Sequence, residues 1–204
     1  MHYTGKTMRV EDSDSVPYDV PTFLYGEPAS EHLLYARAVW GLAELTDVPP
    51  EVPPLAATDP PPTQSERERL ARLWTAAWET LWTMYTFSYD AIRDDYIPIT
   101  GIPQPKPIDW LSAASPAILS GAGFAAWRTS IPKLEPLGSH YSHVAMTAQA
   151  SFQRGLACVA VLPVSGVWWA SVRGRLLLIS PFVHESPELL NSALDEFRGE
   201  STPK

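Results

Sequence analysis

The chain has 204 residues, a formal net charge of −8, 45% hydrophobic residues and 19% charged ones. That balance excludes an intrinsically disordered chain and allows one full hydrophobic core. A single cysteine, Cys158, excludes an internal disulfide, and no apolar stretch reaches the roughly 18 residues that a bilayer span requires.

The charge is unevenly placed. Residues 1–62 hold ten acids against Lys6, Arg9 and Arg37, which accounts for −7, whereas residues 111–204 carry +1. No run of Lys and Arg forms the footprint that a phosphate backbone or an anionic membrane surface requires, so neither nucleic acid nor membrane is an expected partner. The N-terminus lacks the charged-then-apolar layout of a signal peptide, and a cytoplasmic location is expected.

In chain order, residues 1–29 read as an acidic extended arm, docked over its second half by Tyr18, Phe23, Leu24 and Tyr25. Residues 30–204 read as a single α+β domain. Ser30 has the chemistry of an N-cap for a helix over 31–45, with Glu31 meeting the positive end of its dipole. Seven prolines between Val48 and Pro62 forbid helix and favour extended chain, so 48–62 reads as a stiff connection. Ser65 and Glu68 form a capping-box pattern. The helix it opens, about 66–96, keeps apolar residues at Leu70, Leu73, Trp74, Ala77, Trp78, Leu81, Tyr85, Tyr89 and Ile92, with a bend or break expected near 83–88. A second proline-rich connection occupies 97–107, and 124–131 reads as a strand or a turn of helix.

From 144 to 180 the pattern predicts consecutive strands. Val144, Met146, Ala148, Ala150 and Phe152 alternate with polar residues, and the apolar runs 156–164, 167–172 and 175–180 are separated by Arg154-Gly155, Ser165-Gly166 and Arg173-Gly174. Glycine supplies the positive φ of tight hairpin loops. The expectation is an antiparallel four- to five-stranded meander, about 124–180, packed against the long helix and a C-terminal helix over about 187–198, which Ser186-Pro187-Glu188 opens. Runs 156–164 and 167–172 do not alternate cleanly and Leu176 to Ile179 is apolar without a break, so that sheet must be covered on both faces.

Candidate chemistry is sparse. His140 and His143, with His184, do not make a metal-ligand pattern, because no HExxH motif or cysteine pair accompanies them. Asp94 and Asp95 end the long helix, where the dipole opposes them and Arg93 offsets them. There is no nucleophile elbow, dinucleotide fingerprint or phosphate loop, and no metal or cofactor is expected. Cys158 sits in the most apolar run and reads as a small buried hydrophobe. These absences favour a non-catalytic protein-binding component of assembly, adaptor or immunity type. Its partner is another protein chain or a second copy, and it acts through an aromatic and acidic surface with Trp40, Trp82 and Trp168 as anchors. The alternative is a small-molecule or enzyme pocket between the long helix and the sheet, drawing on Tyr85, Tyr89, Asp94, Asp95, His140, His143 and His184. That reading requires at least two of the His and Asp side chains to converge.

Overall fold

The computed structural model describes residues 21–57, 60–95, 122–135, 137 and 141–199, with residues 22, 87–95 and 141 described in backbone only. Residues 1–20 of the arm expected over 1–29, the connection over 97–107 and His140 lie outside these residues, whereas the rest of the arm holds a strand, Thr22–Tyr25, and the start of a helix at Pro28. The described elements are β1 (Thr22–Tyr25), α1 (Pro28–Val39), α2 (Gln64–Asp95), α3 (Ala122–Ser130), α4 (Tyr141–Gln153), β2 (Cys158–Val161), β3 (Trp169–Val172), β4 (Leu176–Ile179), α5 (Pro181–Glu185) and α6 (Pro187–Glu196). Helix and strand are thus mixed in one chain.

The sheet is mixed, and the expected antiparallel meander is not what forms. Its strand order is β1-β2-β4-β3, with β1 parallel to β2, β2 parallel to β4, and β3 antiparallel to β4. One true hairpin survives from the prediction. In the turn joining β3 to β4, Arg173 (φ 48°) and Gly174 (φ 57°) are both left-handed, and the Arg175 N–H donates to the Val172 carbonyl at 3.1 Å. Such turns match the twist of the flanking strands.

Residues 144–152 are the clearest correction, since they form most of helix α4 and not a strand. Val144, Ala148 and Ser151 are fully buried, at i, i+4 and i+7, while Met146 is 84% exposed. The alternation leaned on Ala148 and Ala150, which prefer a helix once a surface is there to receive one face. Gly155, expected in a hairpin loop, instead ends this helix. The Leu156 N–H donates to the Ser151 carbonyl and the Gly155 N–H to that of Phe152, a Schellman closure with Gly155 at φ 106°. Gly41 ends α1 in the same way, through bonds to Arg37 and Ala38.

Other boundaries move for similar local reasons. The cap of α1 is Glu27, whose carboxylate accepts from the Ser30 N–H, with Pro28 opening the first turn. At α2 the capping box is Thr63 with Glu66, two residues before the expected pair: the Glu66 N–H donates to Thr63 Oγ1 and the Thr63 N–H to Glu66 Oε2. Residues 122–130 resolve the open choice as helix α3. At α6 Ser186 caps as its sequence predicts, its Oγ accepting from the Leu189 N–H at 3.3 Å.

Both faces of the sheet are covered by the chain's own helices. Cys158, Ala160, Leu176 and Leu178 face a core built with α1, α2 and α3, in which Leu33, Leu34, Trp74, Leu81, Trp82 and Trp127 are buried. Their neighbours Val159, Val161, Leu177 and Ile179 face a second core built with α4, α5 and α6, through Val144, Ala148, Val183, Leu190, Leu194 and Phe197. The two-sided apolarity of the strands is the pleat of a central sheet between helical layers.

The first proline run does more than space two helices. Arg37 at the end of α1 is wholly buried, and its guanidinium holds Glu51 at 2.6 Å while also donating to Thr46 Oγ1 and to the carbonyls of Val48 and Pro49. The Pro50 carbonyl accepts from the Ser165 N–H, and that of Pro53 from Trp127 Nε1. Prolines offer no N–H, so their carbonyls need only donors, and Arg37, Ser165 and Trp127 supply them here.

Candidate functional site at the carboxyl end of the sheet

In open sheets of this kind, ligands and partners meet the loops that follow the carboxyl ends of the parallel strands, where the following helices diverge to opposite faces. Here the chain leaves β1 toward α1 on one face and leaves β4 toward α5 and α6 on the other. Tyr25 closes β1, and its hydroxyl lies 3.0 Å from Nε2 of His184, a buried residue of α5. The rings meet edge to face, with centroids 5.2 Å apart. Burial pushes the Tyr25 phenol up to about 12, against a smaller opposing effect from a backbone hydrogen bond with Leu137. At neutral pH it is a hydrogen-bonding hydroxyl and not a base.

Two residues later Glu27 occupies the amino terminus of α1. Its own carboxylate accepts from the Ser30 N–H and so fills the position where the helix dipole would otherwise receive an anion. Tyr85, on the buried face of α2, is raised by burial first and then by the charge of Glu27. Glu31, one turn further along α1, makes a 2.7 Å ion pair with Arg128 of α3. Burial nevertheless raises its carboxyl, because the attraction of Arg128 offsets the lost hydration only in part. His32 stacks on Phe124 at 3.8 Å and is lowered chiefly by burial, with its Nδ1 2.7 Å from the Pro28 carbonyl. Gly123 permits this approach of α3, because a Cβ there would stand 2.5 Å from the Tyr35 hydroxyl.

The pocket candidates do not converge where they are described. Tyr85 belongs to the core on one face of the sheet. His184 lies on α5, beneath the other. His143 is exposed on α4, its backbone carbonyl accepting from Asn191. The side chains of Tyr89, Asp94 and Asp95 lie outside the described residues, as His140 does. Among the described residues no group of three His, Cys, Asp or Glu side chains has the spacing of a metal site, and no helix is long and apolar enough to cross a membrane. Cys158 is fully buried.

The three tryptophans separate in the same way. Trp40 and Trp82 are 3% and 1% exposed and belong to the core, so neither presents a surface. Trp82 continues a ladder in which Trp74 stacks on Trp78 at 4.9 Å and Trp78 meets Trp82 edge to face. Only Trp168 reaches the outside, half-buried at the carboxyl end of the sheet. Beside it Val167 is 55% exposed and Phe182 62%. Ser180 joins the two segments, accepting from the Trp168 N–H and donating to the Gly166 carbonyl. With Tyr25 these residues make an apolar rim. Neither Val167 nor Phe182 was singled out by sequence, since each lies in an apolar run that reads as core. Glu31 is legible only as an acid at a helix start, and the pairing of Glu31 with Arg128 and of His32 with Phe124 is not legible at all, because these partners lie on different helices.

Comparison with family models, with curated proteins and with solved structures finds no match for this chain.

Proposed function

We propose that the protein is a non-catalytic binding component, and that it engages another protein through the carboxyl-end rim of Tyr25, Val167, Trp168 and Phe182. The observation that carries this reading is the exposure of Phe182 and Val167 on a sheet whose two faces are already covered. Large apolar side chains grouped outside a finished core lose free energy by staying in water and regain it when a partner covers them. Aromatic anchors of this sort supply most of the energy at interface centres. The polar groups behind the rim suit a support role: His184 holds the Tyr25 hydroxyl and Glu27 caps α1, so both are occupied in fixing the loops that carry the rim.

Affinity purification of the tagged chain from its native cells, with cross-linking, tests the proposal. The wild type is expected to recover a partner cross-linked near residues 165–168 and 180–185, and V167D/F182D is expected to lose it while keeping the wild-type circular dichroism and Tm. Retention of the same partner by V167D/F182D, or recovery of none by the wild type, overturns it.

A further inference from the structure

The opposite end of the sheet has another character. Arg154 follows α4, Arg173 and Arg175 form the β3–β4 turn, and Arg198 follows α6. The backbone brings all four together. The Arg175 carbonyl accepts from the Ala157 N–H at 2.8 Å, a Cβ on Gly155 would stand 3.5 Å from the Gly174 carbonyl, and the Arg154 carbonyl lies against Gly199. Arg154 Nη2 donates to the Leu194 carbonyl at 2.7 Å, which fixes the end of α6 beside it. Arg154, Arg173 and Arg198 are exposed and Arg175 is half-buried. Two exposed acids, Asp195 and Glu196, share the region, and Glu196 accepts from Trp169 Nε1. The balance at this end is positive in a chain whose total is −8.

The same end is where β1 begins. Thr22 is paired with Cys158 and Cys158 with Leu176, all in parallel, so the chain enters β1 about two strand spacings, roughly 10 Å, from the arginine turn. The residues that precede it carry Glu11, Asp12, Asp14 and Asp19 against Lys6 and Arg9. An extended chain covers about 3.3 Å per residue, so each of these acids can reach the cluster without any movement of the fold. We infer that the arginine cluster at the amino end of the sheet is a docking surface for an acidic segment, and that its occupant is the chain's own segment 11–19. Tethering keeps the local concentration of that segment far above that of any free acidic peptide. The contact is electrostatic and exposed, and salt screens it: the Debye length falls from about 10 Å at 0.1 M to about 3 Å at 1 M.

A nitroxide placed on D12C of the otherwise intact chain tests this directly, since Cys158 is fully buried and out of reach of the label. At low ionic strength the amide signals of Gly155, Gly174 and Gly199 are expected to lose intensity, and to recover it in 1 M salt and in R173E/R198E. A second variant, E11Q/D14N/D19N, leaves every arginine in place and must abolish the same loss. No loss at low ionic strength, or a loss that survives either set of substitutions, overturns the inference. So does a loss seen only between mixed spin-labelled and isotope-labelled chains, which would assign the surface to a second copy.

Discussion

One face of the sheet packs against a core threaded with Arg37, Glu51, Glu27, Glu31 and Tyr85, while the core on the other face is apolar from Val144 to Phe197 apart from Ser151 and His184 near its edge. The first face must compensate the charges it encloses. Arg37 does so by turning to Glu51, Thr46 and two proline-segment carbonyls, with its guanidinium carbon 5.5 Å from the centre of the Trp74 ring. Burial still pushes the Glu51 carboxyl up and the Arg37 guanidinium down, as expected when desolvation competes with pairing. The second face needs only volume and shape. The contrast teaches that the two halves of this interior fail differently: one through orphaned charge, the other through cavities.

The largest effect is expected from R37A, which leaves Glu51 buried without its cation. Breaking a buried pair from one side costs about 3–5 kcal/mol, and urea denaturation at neutral pH measures it. The double variant R37M/E51L should recover most of that loss, since replacing both partners with apolar side chains removes the orphaned charge; if it does not, anchoring of the proline segment and not charge burial is what Arg37 supplies. Next is L177A on the apolar face, where Leu177 is fully buried. A cost of about 3 kcal/mol is expected from lost transfer energy and a residual cavity, with no change in how stability depends on pH.

The smallest effect separates the faces by titration. Glu31 is raised in the folded chain, so its contribution to stability is fully present below the unfolded value near 4.5 and is lost as pH rises through the folded value. Wild-type stability relative to E31Q should therefore fall as pH climbs from about 4.5 toward neutrality. The same measurement on L177A relative to wild type should be flat. A flat E31Q difference would mean that Arg128 fully compensates the burial of Glu31.

Elements with complete local instructions were legible. The C-terminal helix was readable from Ser186, Pro187 and Glu188, whose capping needs no distant partner. The long helix was readable from its apolar stripe, and the hairpin after Val172 from Arg173-Gly174. Helix α4 was not, because small residues satisfy two periodicities at once and only the surface against which Val144 and Ala148 pack selects one. The rim was illegible for a related reason. Val167 and Phe182 have the composition of core residues, and what exposes them is the departure of the chain from the sheet on either side of Ser180.

The sequence by itself determined where the C-terminal helix starts, that the prolines at 48–62 exclude helix, and that the strands after residue 156 are apolar on both sides. These depend on neighbours within a turn or two. The tertiary structure alone decided that β4 inserts between β2 and β3, that β1 joins the far edge in parallel, and that the arginines gather at one end of the sheet and the exposed apolar residues at the other. Strand order is set by pairings between residues as distant as Thr22 and Cys158, and no local propensity encodes which of several apolar strands will be the neighbour.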